Sequence, residues 1–416
     1  MIISLVGWFG SGNFGDEMIL VSELELLAKG NSFKVFSFNP KLTKKAVKKF
    51  KDKVKIVKLG QKLEFWKTDF KAVFQALKSS DLVLIGGGGM LQDAYNWYTA
   101  PFFGLFIFLA KVLGKRVGFF LVGAGPLNLK LTKKLVRLSC RQADFIITRD
   151  KYSKNQLVGL GIEKKKVQIG CDSVLGVKSL GKKKELVIKK SYFVICLREV
   201  AQWQKLDDSK LAAVFDDIAE KHQLLPVFLP LSSYTNQIIG QTSEPLDKEA
   251  SETVRQLMQK PSRLIKPVSL AQVQQIIKKA DALVGMRLHA LVMSANLLVP
   301  FLALSYKNDL KLKIFSQVMG LRANHAFIEK LGKNELQKSF NQIYRHKDQV
   351  VEQLRVRKRI LVAGLTKNIK EVLNNQDNKR LSICLWSNYL LTGLIATIWL
   401  GIKSIIFRDR VFYAKQ

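Results

Sequence analysis

The stretch Val284-Gly285-Met286-Arg287-Leu288-His289-Ala290 decides how this chain is read. It follows a short apolar run, Asp281 to Val284, whose pattern predicts a buried strand. It leads into a second apolar run, Leu291 to Leu298, that predicts a helix. Arg287 and His289 therefore stand where a strand hands over to a helix. Open α/β sheets bind their ligands at such places. A guanidinium there suits a carboxylate or a phosphate, and an imidazole carries a proton near neutral pH. The plainer alternative is a helix-start arginine beside a packed histidine. Polar clusters at equivalent places elsewhere in the chain favour the functional reading.

Working outward, the same alternation recurs on both sides. Met1 to Phe9 predicts a strand, and Met18 to Lys29 a helix, joined by Gly10-Ser11-Gly12-Asn13-Phe14-Gly15-Asp16-Glu17. The glycine spacing matches a dinucleotide fingerprint in form. However, no acidic residue ends the next strand, Phe33 to Phe38, and Asp16 and Glu17 crowd a helix start that a pyrophosphate would need free. What remains is a glycine loop over a cleft. In it Gly12, Asn13 and Asp16 either meet a polyol or form a tight turn with acidic helix caps. Lys41 to Lys58 is lysine-rich and helix-compatible, as solvated faces are.

Asp81 to Ile85 predicts a strand running into Gly86-Gly87-Gly88-Gly89. Gly87 and Gly88 let backbone pass close to a ligand or form an anion nest; the alternative is a bare turn. Pro101 to Leu113, interrupted by Lys111, predicts a buried or membrane-facing helix too short to span a bilayer. Strands are expected at 117–122, 144–148 and 166–169, the second ending in Arg149-Asp150. Further strands follow at 192–197, ending in Arg198, at 226–229, at 263–266 and at 300–304, ending in Ser305-Tyr306-Lys307. The expected fold is α/β, two Rossmann-like doubly wound domains facing a cleft. The expected division is 1–177, a charged linker 178–190, 191–375, and a tail 376–416.

The bulk numbers narrow the class. A chain of 416 residues, 48% hydrophobic and 24% charged, is globular and long enough for two such domains. Its 68 Lys+Arg against 33 Asp+Glu give a formal +35, which predicts an anionic partner. No zinc finger, RNP-type aromatic motif or basic zipper accompanies that charge, so nucleic acid is not the expected partner. Four scattered cysteines with no CxxC pair fit a reducing cytoplasm and give no metal signal.

Several motifs occur in a telling order. They are Gly12-Asn13-Phe14-Gly15-Asp16-Glu17, Ile85-Gly86-Gly87-Gly88, Gly123-Ala124-Gly125-Pro126, Thr148-Arg149-Asp150, Cys171-Asp172, Met286-Arg287-Leu288-His289-Ala290 and Ser305-Tyr306. The set resembles the polysaccharide pyruvyl transferase family over roughly residues 1 to 370. The resemblance implies two Rossmann-like domains of GT-B type. It also implies transfer of the enolpyruvyl part of phosphoenolpyruvate (PEP) to a sugar of a lipid-linked or nucleotide-linked surface-glycan precursor, as a cyclic ketal with loss of phosphate. On that reading no metal or other cofactor is expected. Arg149, Arg198 and Arg287 grip the two anionic ends of PEP, and His289 is the general acid for carbon 3. The family's lysine three residues after the tyrosine is absent, since Asp309 stands there; Lys311 and Lys307 are the two candidates.

Leu381 to Ile402 is 22 residues without a charge, flanked by basic residues. That is long enough to span a bilayer, but positive charge on both sides favours an interfacial or re-entrant helix; the plainer alternative is a helix packed on the enzyme body. The expectation is a cytoplasmic enzyme held at the inner face of an anionic membrane by this tail and the basic body. Two other readings remain: a GT-B glycosyltransferase with a nucleotide-sugar donor, and a non-catalytic, membrane-bound glycan-binding protein.

Overall fold

The computed structural model describes residues 1–60, 69–94, 96–181, 188–198, 207–232, 247–330, 333–375, 378 and 381–392. Strand β1 (Ile2–Val6) is buried from Ile3 onward, as the middle of a parallel sheet must be. It pairs in parallel with β2 (Ser32–Ser37) on one side and β4 (Leu82–Leu91) on the other. Strands β3 (Val54–Lys58), β5 (Arg116–Ala124), β6 (Phe145–Thr148) and β7 (Val167–Ile169) complete the order β3-β2-β1-β4-β5-β6-β7. The second sheet repeats this plan as β10-β9-β8-β11-β12-β13. Its strands are β8 (Tyr192–Cys196), β9 (Leu225–Phe228), β10 (Arg263–Leu264), β11 (Ala282–Gly285), β12 (Phe301–Ser305) and β13 (His325–Phe327). The chain order reverses between β1 and β4 and again between β8 and β11, giving each sheet the switch point at which ligands bind.

The connecting helices are α1 (Phe14–Leu27), α2 (Pro40–Ala46), α3 (Phe70–Lys78), α4 (Thr99–Val112), α5 (Lys130–Gln142), α6 (Lys151–Gly159) and α7 (Asp208–His222). They continue as α8 (Asp247–Leu257), α9 (Leu270–Lys278), α10 (Leu288–Asn296), α11 (Lys311–Val318), α12 (Lys333–Arg345) and α13 (Lys347–Asn374). Helix α1 is apolar almost all round because it lies between the domains: one core cluster runs from its Met18, Leu20 and Leu24 to Ala290 and Leu291 of α10.

Several expectations need correction. The lysine run 41–58 is not one helix: it forms α2, a short 3-10 turn and the edge strand β3. Val54, Ile56 and Val57 favour the strand, and an edge tolerates the lysines between them. The glycines after Ile85 do not end their strand, since β4 runs on through them to Leu91. A Cβ at Gly86 would stand 1.8 Å from the Phe120 carbonyl oxygen of β5, so the ladder closes there only around glycine. Helices α12 and α13 meet at His346, which precedes the first turn of α13.

Helix α13 then crosses back to the first sheet, where Asn368 Nδ2 donates to the Ile169 carbonyl at 3.0 Å. Residues 233–246, ahead of α8, lie outside the described residues, as do 182–187 of the expected linker.

Of the two options for 101–113, the buried one holds, with Phe103, Ile107 and Phe108 closed off from solvent. Lys111 is neutralised inside by Asp144 at 2.5 Å. Residues 383–392 are helical and pack on this same region. The Tyr389 ring lies 4.6 Å from that of Phe108, and its hydroxyl donates to the Pro101 carbonyl. The start of the expected membrane tail is thus docked on the protein body. Among the described residues no helix is long and apolar enough to cross a membrane, and residues 393–416 lie outside them.

Candidate active site

The carboxyl ends of the two sheets meet at the loop between β1 and α1. The Phe14 amide donates to the Leu231 carbonyl at 3.1 Å, and Asn13 forms an antiparallel bridge with Ser232. Inside the loop, Asn13 Oδ1 caps α1 by accepting from the Gly15 amide at 3.1 Å. The Asp16 carboxylate accepts from Ser11 Oγ at 2.9 Å and from Asn13 Nδ2 at 3.1 Å. Glu17 accepts from the Gly10 amide at 2.5 Å. Both acids at the helix start therefore order the glycine turn. Burial still raises them, Asp16 somewhat and Glu17 to about 8.

His289 enters this corner from the first turn of α10. Arg287 sits before that turn in extended conformation, so the imidazole faces the start of α1. A Cβ at Gly15 would lie 2.3 Å from His289 Nδ1, so the absence of a side chain there is what admits the ring. On its other side His289 Nε2 lies 3.4 Å from Asp172 Oδ2. Burial pushes the Asp172 carboxyl up, but the nearby His289 and, behind it, Arg149 outweigh this, holding it below the usual carboxylate range. Glu23 of α1 lies behind Asp172. Burial and the Asp172 charge drive it well above its usual range. Gly87 and Gly88 of β4 have positive φ, and a Cβ at Gly87 would stand 2.1 Å from Ile19 Cγ2 and 3.1 Å from Glu23 Oε1. This glycine pair lets β4 pass over the carboxylate-bearing face of α1.

The arginines divide into two kinds. Arg287 grips Asp247 with Nε, at 3.1 and 2.9 Å from the two oxygens, and with Nη2 as well. Asp247 is 1% exposed and also accepts from the Leu231 and Ser232 amides. Arg287 thus clamps the starts of α8 and α10 to the β9 loop. Arg198, after β8, reaches Asp309 at 3.4 Å. Arg149, after β6, lies beneath Gly123 and contacts Asp150 at 3.3 Å. It lines two small cavities of about 20 Å³ each, and Lys311 lines both with it. Asp172 and Leu288 wall the second, which connects Arg149 and Lys311 to the histidine corner.

Of the two lysine candidates, Lys311 is in this cleft. Lys307 is exposed, lines neither cavity, and gives its amide to Glu329 at 2.9 Å. Asp309, standing where the resemblance expects a lysine, accepts from the Lys311 amide at 3.3 Å as well as meeting Arg198.

His289, Asp172, Arg149 and Lys311 therefore share one side of the corner, and Asn13, Asp16 and Gly88 the other. Gly12 lies on the same loop, facing a broader groove. Sequence reasoning assigned no role to Asp172, Asp247 or Glu23. The available signals were the Cys171-Asp172 pair after a strand and two glutamates set in the apolar helix α1. Among the described residues no group of three or more His, Cys, Asp or Glu is arranged to hold a metal ion.

Two facing parallel-sheet α/β domains, with charged residues gathered at their carboxyl ends, define the architecture of GT-B glycosyltransferases and nucleotide-sugar epimerases. Solved structures agree. The UDP-GlcNAc 2-epimerase from Neisseria meningitidis, bound to UDP-GlcNAc, superposes with a TM-score of 0.60 at 13% identity, covering 90% of this chain and 100% of that one. Anabaena Alr3699/HepE in complex with UDP-glucose gives 0.56 at 12% identity, covering 90% and 99%. The S. aureus MnaA-UDP structure gives 0.55 at 10%, covering 85% and 90%. At such identities the likeness is one of fold. Comparison with curated proteins found no match. The sequence itself is more specific: the polysaccharide pyruvyl transferase model matches residues 13–308, and the chain belongs to that family.

Proposed function

We propose that this chain moves the pyruvyl group of phosphoenolpyruvate onto a sugar of a lipid- or nucleotide-linked precursor of a surface polysaccharide, as a ketal, releasing phosphate. The observation that supports this most is the place of His289. It stands between Asp172 and the start of α1, next to a cleft lined by Arg149 and Lys311. A donor with a carboxylate, a phosphate and an enol needs two cations and one proton donor, and the corner offers both.

Arg149 and Lys311 hold the two anionic ends of the donor. Protonated His289 gives its proton to carbon 3, which becomes the methyl group and leaves carbon 2 electron-poor. Asp172 steadies the imidazolium and fixes the ring. An acceptor hydroxyl adds to carbon 2, and its proton returns to the neutral imidazole. Phosphate then leaves carbon 2 with the bonding electron pair, a second hydroxyl closes the ketal, and its proton goes to the phosphate. Asn13 and Asp16, across the corner, are the groups that would meet the acceptor hydroxyls. Arg287 and Arg198 hold the frame of the site through Asp247 and Asp309.

The proposed setting is the inner face of a membrane. Supporting this are the +35 charge and the exposed Ile383, Leu390 and Leu391 on the docked start of the tail. Retention of the full-length protein in the soluble fraction at low salt would remove that part of the proposal. The reaction is tested by incubating the chain with PEP and N-acetylhexosamine-bearing lipid and nucleotide acceptors, then analysing the acceptor by mass spectrometry and NMR. A new ketal methyl group on the sugar is expected. Transfer of a sugar from a nucleotide donor instead would establish the glycosyltransferase reading.

A further inference from the structure

The cations of the histidine corner each have an aspartate beside them, and the three aspartates are held in different ways. Asp150, beside Arg149, caps α6 by accepting from the Ser153 amide at 2.7 Å. Asp172, beside His289, accepts from the Val174 amide at 3.1 Å. Asp309 stands in the turn between β12 and α11, where its amide donates to the Tyr306 carbonyl at 2.9 Å. Its carboxylate accepts from the Lys311 amide at 3.3 Å, the longest of the three contacts. That carboxylate is 5% exposed and lies between cations from two different elements. Oδ2 is 3.4 Å from Arg198 Nη1, and Oδ1 is 3.9 Å from Lys311 Nζ. Both distances exceed the roughly 2.8 Å of a tight charge-assisted bond. Asp309 also lines one of the two small cavities, together with Arg149, Asp150 and Lys311. A buried negative charge is thus built into the space where an anion would be held.

We infer that Asp309 sets how tightly this cavity holds phosphate: its charge, fixed between Arg198 and Lys311, opposes every anion that those cations attract. The inference rests on the transferase reading, in which phosphate is part of the donor and also the product that must leave. Charge–charge energy falls only as the inverse of distance and is weakly screened away from water. A carboxylate this buried therefore acts on a phosphate held by Lys311 whether or not the two touch. Arg149 and Lys311 line the cavity, and Arg198 adjoins it through Asp309. Against these three positive charges stand the two negative ones of Asp150 and Asp309. The small positive remainder attracts a phosphate dianion without trapping it. Asp309 lowers affinity for donor and product alike, and in doing so keeps phosphate release from limiting turnover. It touches no reacting atom and works through the charge of the cavity alone.

The test is calorimetric titration of inorganic phosphate into the purified full-length chain and into its Asp309→Asn and Asp309→Glu variants. Asparagine keeps an acceptor for Arg198 and the Lys311 amide and removes only the charge. Asp309→Asn is expected to bind phosphate about tenfold more tightly than the wild-type chain, with a gain that shrinks as salt is raised. Asp309→Glu, which keeps the charge, should stay within about twofold of wild type. Adding Lys311→Gln to Asp309→Asn should cancel the gain, which places it in this cavity. In turnover, Asp309→Asn should lower KM for PEP and kcat together, with phosphate a stronger product inhibitor. The inference is overturned if Asp309→Asn binds phosphate no more tightly than wild type, or if Asp309→Glu shows the same gain. Either result would leave Asp309 as a residue that only positions Arg198. Phosphate binding undetectable in both the wild-type chain and Asp309→Asn overturns it as well. No transfer takes place in the titration, so loss of the expected gain while ketal still forms removes this inference alone. A gain in phosphate binding with no ketal formed would remove the transferase reading alone.

Discussion

The cavities beside Arg149 and Lys311 measure about 20 Å³ each and are walled by charges that already have partners. The groove on the far side of Gly12 is about 1080 Å³, with apolar walls and a rim of lysines, of which Lys45, Lys48 and Lys51 have no ion-pair partner among the described residues. The same turn, Gly12 to Gly15, separates them. The contrast assigns different work to the two spaces. Closely packed groups with perturbed acids fix a proton and an anion in position, whereas an open trough with exposed cations selects by size and charge. Substitutions in the first should cost orders of magnitude, and those in the second modest factors.

The largest expected effect is at the histidine. His289→Ala should lower turnover by about a thousandfold, as loss of a general acid does, with little change in thermal stability. An equal loss of folding would make the ring a packing residue and blur the contrast. Next comes Arg287→Ala, which strands the buried Asp247. Chemical denaturation should show a loss on the order of 3 kcal/mol, partly recovered by adding Asp247→Asn. Unchanged stability with lost turnover would move Arg287 from the frame to the substrate. Lys311→Ala should raise KM for PEP by about ten- to a hundredfold, and Lys307→Ala should leave it unaltered. The reverse result would transfer the anion site to the exposed lysine.

Glu17 gives a smaller effect that depends on pH. Its folded pKa of about 8 lies above the ordinary carboxyl value, so the native state holds a proton that the unfolded chain has released. Its contribution is complete below the unfolded pKa near 4.5 and is lost as pH rises through about 8. Glu17→Gln keeps the acceptor for the Gly10 amide, so it should flatten that decline and stabilise the protein by roughly 1–3 kcal/mol at pH 9. A melting-temperature series from pH 5 to about pH 9 checks the sign. The smallest factors belong to the groove lysines.

Much of the fold was legible because parallel strands buried on both faces leave continuous apolar runs, as at Ile3 to Val6 and Leu283 to Val284. The strand-to-helix corners holding Arg149, Arg198 and Arg287 could be read for the same reason. Which of those arginines is already paired could not. Asp247 lies 40 residues from Arg287 in sequence, and no periodicity links them. Asp172 meets His289 only because the two sheets face each other, a relation absent from either local pattern. The lysine run misled for a simpler reason. Charge density marks exposure, but it does not reveal that Leu42 and Ala46 between the lysines line a groove.

The most direct test of the account is acceptor-dependent release of phosphate from PEP, measured for the wild-type chain and His289→Ala side by side. The account predicts release that requires the sugar acceptor and falls by about a thousandfold in the variant. Release that persists in the variant, or that never occurs while a nucleotide sugar is consumed, would contradict it.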